Sequence, residues 1–236
     1  MADHKPSKHL LDVPLLRLAV WLDKLKNRSR APRAMNGQIA RLEFTRGIIR
    51  RCGVARIVET GTHHATTTRW FAQFGLPVAT SEIDLYLAKR SKSRLRMFRN
   101  VEVRGADSIS ALKRLAGEPI DHAAPTLFYL DAHRQDNLPL RDEIELALAH
   151  FAKAVLIIDD FAVPDDPGYG FADYGPGKVL TLDYLSRANT PPLMIYFPAT
   201  ASTNETGAKR GAVIVTANAE MASTLDELTL IRRWKD

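Results

Sequence analysis

The sequence predicts an α/β protein built on a doubly wound, Rossmann-like, mostly parallel sheet of seven strands with a C-terminal antiparallel hairpin. Three observations predict it. Short apolar runs recur at 55–59, 77–81, 101–104, 126–130 and 154–158, each followed by enough chain for a helical crossover, which is the punctuation of βαβ units. Helical periodicity fills the intervals at 66–74, 85–98, 108–116 and 138–151, with a further helix expected at 177–188. The tail then changes character: runs at 192–197 and 211–215 flank a polar, Gly-containing connection, as in a hairpin at a sheet edge.

In chain order, residues 9–26 place Leu15, Leu18, Leu22 and Leu25 on one helical face, with Pro14 suited to a first turn. The basic residues that follow, Lys24, Lys26, Arg28, Arg30 and Arg33, would also suit a membrane surface or a partner. Packing of this helix on its own domain or on a second copy of the chain is the favoured reading, so it is a candidate surface for a homo-oligomer. After breakers at Pro32 and Asn36-Gly37, helical spacing resumes over 38–51 and ends at Gly53, a C-cap residue. Residues 1–52 are therefore expected to form a helical extension and residues 53–236 the sheet domain.

Bulk properties narrow the function classes. The 236 residues hold no apolar run near the roughly 20 needed to span a bilayer, so no transmembrane segment is expected. The start, Met-Ala-Asp-His-Lys, is not that of a secretory signal, and the single cysteine, Cys52, cannot form an internal disulfide, which together predict a cytoplasmic protein. The net charge of +6 raises the question of nucleic acid, but the excess sits in helical stretches, Lys24 to Arg51 and Lys89 to Arg104, where solvated helix faces account for it. Nucleic acid is disfavoured as a partner.

The motifs lie at strand ends. Glu59-Thr60-Gly61-Thr62 carries a buried strand into a tight turn, and Thr66-Thr67-Thr68 can cap the next helix. Gly61 allows a ligand close to the backbone, as dinucleotide sites do at their first strand-to-helix turn. His63-His64-Ala65 stand where further glycines would complete a pyrophosphate fingerprint, which disfavours NAD. About 20 residues on, Glu82 can accept both hydroxyls of a ribose, while Asp84 is the better helix cap. Ala106 and Asp107 follow the third strand at the same edge, suited to an adenine ring. Asp131 ends the fourth strand and Asp159-Asp160 the fifth. If those strands are neighbours, three carboxylates converge and repel one another unless a hard divalent cation neutralises them, magnesium best, with manganese or calcium as alternatives. The competing reading pairs Asp159 with an arginine.

In order, Glu59-x-Gly61, Glu82-Ile83-Asp84, Gly105-Ala106-Asp107-Ser108, Asp131-Ala132-His133 and Asp159-Asp160 resemble the motifs of class I S-adenosylmethionine-dependent methyltransferases over residues 55–216. The acids after the fourth and fifth strands resemble those of the metal-dependent O-methyltransferases of the catechol and macrocin (sugar) types. The resemblance implies S-adenosylmethionine as cofactor, held by Glu59, Gly61, Thr62 and Glu82 with Ala106 and Asp107 at its adenine. It implies a divalent cation such as Mg2+ on Asp131, Asp159 and Asp160, and O-methylation of a small hydroxylated acceptor: a saccharide, polyketide or phenol. A metal that acidifies and orients the acceptor hydroxyl serves that reaction, and His133 beside Asp131 is the candidate proton acceptor. The aromatic, glycine-rich loop between Pro164 and Pro176 is a candidate lid. The rival readings are a cofactor-binding scaffold without catalysis, an RNA methyltransferase and a metal-dependent hydrolase.

Overall fold

A computed structural model describes residues 33–133 and 138–235. The expected N-terminal helix at 9–26 and Arg134 lie outside the described residues.

The strands are β1 (Arg56–Thr60), β2 (Val78–Glu82), β3 (Val101–Gly105), β4 (Thr126–Leu130), β5 (Ala154–Asp159), β6 (Met194–Pro198), β7 (Ala212–Thr216) and β8 (Ile231–Arg233). They form one sheet in the order β3-β2-β1-β4-β5-β7-β6-β8. The first five strands are mutually parallel, and β7 runs antiparallel to both β5 and β6. The described residues thus carry one strand more than expected: the three-residue β8 pairs antiparallel with β6.

Each central strand is buried on both faces, which is why these segments read as continuous apolar runs. The pleat sends alternate residues to opposite sides. Val58, Phe128, Leu130, Leu156 and Ile158 face one core with the helices α4 (Ser108–Ala116), α5 (Leu140–His150) and α6 (Leu182–Ser186). Ile57, Leu127, Tyr129, Val155 and Ile157 face the other with α1 (Ile39–Arg51), α2 (Thr66–Ala72) and α7 (Ala219–Asp226). Helix α3 (Leu85–Leu95) packs on β2 and β3.

Local chemistry sets the helix ends. Asp84 caps α3 by accepting from the Tyr86 and Leu87 amides at 2.9 and 3.0 Å, and Asp107 caps α4 through Ser110 at 2.8 Å. Gly53 follows α1 with φ +59, the left-handed C-cap expected of it. Helix α1, read from the sequence as part of an extension, buries Phe44, Ile48 and Ile49 in the second core; at about 1.5–3 kcal/mol per buried side chain it is a wall of the sheet domain. The helix expected at 177–188 shrinks to α6, because residues before it are spent on a turn from Gly175 to Lys178 and a bridge between Asp173 and Val179. Helix α7 was not foreseen; Asn218 caps it through Met221 at 3.0 Å, and Met221, Ala222 and Leu225 share its buried face.

Strand order reverses between β1 and β4, whose carboxyl ends diverge to neighbours on opposite sides. Open α/β sheets bind ligands in the crevice at such a switch point. No helix among the described residues is long and apolar enough to cross a membrane.

Candidate active site

A cleft of about 220 Å3 opens at that switch point, lined by Gly61, Glu82, Ala106, Asp107, Asp131 and His133, together with His63, Ser81, Ile83, Ser108 and Ala132. The turn after β1 forms its floor. Gly61 has φ +86, and a Cβ on it would stand 2.4 Å from the Asp131 carbonyl oxygen, so only glycine allows the β1 and β4 loops to meet here. Gly61→Ala is expected to cost about 2–5 kcal/mol, combining left-handed strain with overpacking, as a lowered melting temperature. An unchanged melting curve would mean the two loops separate at no cost.

Glu82 ends β2 and is 4% exposed. One carboxylate oxygen accepts the His63 amide at 2.7 Å and the other the Asp84 amide at 3.0 Å. Each oxygen keeps a further lone pair for a ligand hydroxyl. The Glu82 contact holds His63 at φ +44. Asp107 borders the cleft while serving as helix cap.

Two residues of the expected cofactor set point elsewhere. The Thr62 hydroxyl meets that of Thr80 at 2.6 Å. Glu59, 2% exposed, accepts from the Thr68 and Thr80 hydroxyls at 2.5 and 2.6 Å. Both lie under the turn and brace it, outside the lining of the cleft. The threonine run is likewise used differently from expectation: Ala65 in left-handed backbone occupies the N-cap of α2, Thr67 accepts the Met35 amide, and Thr68 serves Glu59.

Burial pushes the Glu59 carboxyl up to about 7, against the two threonine donors. Its ordinary value is 4.5, so the folded state binds the extra proton between those values. The resulting stability is complete below pH 4.5 and lost as pH rises towards 7. Glu59→Gln should flatten that part of a melting temperature against pH profile; an unaltered slope would assign the dependence to another group.

The acids after β4 and β5 do not act as one set. Donor atoms of Asp131, His133 and Asp160 come within 4.8 Å of one another, whereas Asp159 turns beneath the rim. It is 1% exposed, forms an ion pair with Arg41 of α1, and accepts from the Tyr129 hydroxyl at 2.7 Å, the Asp160 amide at 2.8 Å and Asn36 at 3.4 Å. The expectation of three convergent acids is thus corrected. Adjacent residues of a strand end face opposite ways, and Asp160 adopts φ +55, which sends it to the rim and Asp159 towards α1.

Burial and the neighbouring Asp159 and Asp160 charges raise the Asp131 carboxyl well above the usual carboxylate range. Burial would raise Asp160 as well, but His133 and Arg210 outweigh it and hold Asp160 low; the Arg210 Nε lies 2.5 Å from its Oδ1. Arg41 also donates to the Arg210 carbonyl, and Gln38 brackets the Arg210 backbone at 2.8 and 2.9 Å. Non-glycine residues with left-handed backbone (Met35, Asn36, His63, Ala65, Asp160 and Lys209) all fall on segments that meet this edge, where strain accompanies function.

The expected lid is tied down. Ala172 donates to the Asp160 carbonyl at 2.8 Å, Gly170 exchanges backbone bonds with Lys209 and Gly211 at 2.9 and 2.7 Å, and buried Tyr169 reaches the Thr200 carbonyl at 2.9 Å. Tyr174 sets its ring 6.2 Å from that of His133. In this conformation the segment forms a wall beside the rim.

Arg41, Asn36, Tyr129 and Arg210 escaped the sequence reading. A signal for Arg41 existed: it shares the buried face of α1 with Phe44, Thr45 and Ile48, at helical spacing, where a charged residue calls for a buried partner.

No family model matches the sequence, and no curated protein matches it. Solved structures do. A candidate O-methyltransferase from Klebsiella pneumoniae superposes with a TM-score of 0.54 at 20% identity, over 89% of this chain and 92% of that one. An O-methyltransferase from Bacillus cereus, in complex with SAH, gives 0.54 at 18% identity over 87% and 91%. An O-methyltransferase of tomaymycin synthesis from Streptomyces achromogenes, in complex with SAM, gives 0.53 at 18% identity over 86% and 96%. The chain shares their Rossmann-like fold along nearly its full described length.

Proposed function

We propose that this chain is an S-adenosylmethionine-dependent methyltransferase that methylates a hydroxyl of a small acceptor with the help of a divalent cation. One observation carries the reading: the cleft at the β1/β4 switch point runs from the ribose-type carboxylate of Glu82 directly to Asp131 and His133, which gather with Asp160. A cofactor seated along the cleft would thus bring its reactive end beside a group of metal-type donors. That folds of this kind in the Bacillus cereus and Streptomyces achromogenes enzymes carry SAH or SAM supports it.

Glu82 would accept the ribose hydroxyls, Ala106 and Asp107 would border the adenine, and Gly61 would let the cofactor approach the backbone. S-adenosylmethionine supplies the methyl group: the acceptor oxygen attacks it, and the carbon–sulfur bond breaks as the carbon–oxygen bond forms. Asp131 and Asp160 would hold the cation, whose contribution when bound would be to acidify and orient the acceptor hydroxyl. An acidified hydroxyl needs no strong base and gives its proton to water. The wall around Tyr174 would flank the acceptor, and alignment of the two reacting atoms would contribute to the rate gain. The methyltransferase-like domain expected over 53–236 would also take in α1, which buries Phe44, Ile48 and Ile49 in its core and contributes Arg41.

The test is transfer of radiolabelled methyl from S-adenosylmethionine to a panel of saccharides, phenols and polyketides, with and without divalent cation. Transfer that falls on chelation supports the reading; cofactor binding without transfer to any acceptor would favour the scaffold. A basic groove beside β3, lined by Lys92, Arg96, Arg99 and Arg114, favours one second reading, an RNA acceptor. Methylation of RNA that collapses as salt rises would decide for it.

A further inference from the structure

We infer that Asp131, His133 and Asp160 form a site for a divalent transition-metal ion, with His133 as a nitrogen donor in the place that Asp159 yields to Arg41, and that the site discriminates against magnesium. The inference deepens the cation-assisted reading above and rests on it. It changes the part expected of His133, from proton acceptor to ligand.

His133 provides the independent observation. Its side chain is 2% exposed, and neither ring nitrogen has a hydrogen-bond partner among the described residues. A buried polar group left unpaired is destabilising, and an ion at this point would give it a partner. The ring faces the acids: Nε2 stands 3.7 Å from Asp160 Oδ2, too far for a hydrogen bond and close to the spacing of two ligands on one ion. Donors held about 2.1 Å from a metal stand about 3–4 Å apart, so the 4.8 Å spread of the three closes with small side-chain rotations.

The two oxygens of Asp160 divide the work. Oδ1 is taken by Arg210, and Oδ2, the atom facing His133, is left for the ion. Asp131 supplies the second carboxylate, so two negative charges offset the dication. Asp159 is unavailable: withdrawing it from Arg41 would leave a guanidinium at 1% exposure without its counter-ion. The remaining donor set is one imidazole and two carboxylates. Magnesium takes oxygen ligands in strict octahedral geometry and keeps its water, whereas imidazole suits first-row transition metals.

The experiment titrates Mn2+ into the full chain and follows free manganese by electron paramagnetic resonance, with pulsed measurements for 14N coupling and with Mg2+ and Zn2+ as competitors. The expected result is one Mn2+ per chain with 14N coupling, displaced readily by Zn2+ but by Mg2+ only in about 100-fold excess. His133→Gln should abolish the coupling and weaken binding at least about 10-fold, and Asp159→Asn should keep the coupling. Bound manganese without 14N coupling in the unaltered protein, competition by equimolar Mg2+, or no binding overturns the proposal without recourse to any variant. Calorimetry of S-adenosylmethionine on the same sample separates the two readings: manganese binding without cofactor binding would sink the methyltransferase and leave the metal site standing.

Discussion

Glu82→Ala is expected to weaken S-adenosylmethionine binding by at least about 100-fold in calorimetric titration. Hydrogen bonds to a charged acceptor contribute about 1.5–3 kcal/mol each, and two ribose hydroxyls on one carboxylate together account for about 3–6 kcal/mol, where every 1.4 kcal/mol is tenfold in affinity. The substitution also frees the His63 and Asp84 amides, which Glu82 holds at 2.7 and 3.0 Å, so part of the loss comes through the turn. Glu82→Gln isolates the charge: it keeps one acceptor oxygen and should lose on the order of 10-fold. Binding that survives Glu82→Ala would move the ribose elsewhere and remove the main support for the cofactor's orientation.

Arg41→Met is expected to destabilise the fold by about 3–5 kcal/mol, the usual result of stripping one partner from a buried ion pair. For a chain of this size that corresponds to a fall in melting temperature on the order of 10 °C. The cause is the Asp159 carboxylate at 1% exposure, left with Tyr129 and Asn36 as neutral donors. The double variant Arg41→Met/Asp159→Leu should recover much of the loss, because no uncompensated charge remains. If the double variant is as unstable as the sum of the singles, the pair is not an energetic unit, and the account of why Asp159 stays below the rim fails with it.

The architecture was legible because parallel strands buried on both faces announce themselves as apolar runs, and all seven expected strands stand within a residue or two of their predicted places. The eighth was too short for any periodicity to register, and a helix was overdrawn across 177–181, where a turn and a bridge outcompete helical spacing. In the site, residues whose place follows from position along one strand were readable: Gly61, Glu82, Asp107 and Asp131 line the cleft. What could not be read was direction. Whether Asp159 or Asp160 turns to the rim depends on Arg41, 118 residues away, and on the left-handed backbone of Asp160. Glu59 and Thr62 stand outside the cleft lining for the same reason, since their partners Thr68 and Thr80 lie on other elements.

The contact of Gly61 with the Asp131 carbonyl has a thermodynamic corollary. The turn after β1 and the loop after β4 leave no room for a Cβ between them, so under the proposed function a shift of the turn that would receive the cofactor would move the loop that would begin the cation site. Ligands at the two ends of the cleft therefore share one free-energy surface, and whatever one gains from the presence of the other is returned in equal measure. If the proposed function holds, a single missing carbon atom would make cofactor and cation report on each other.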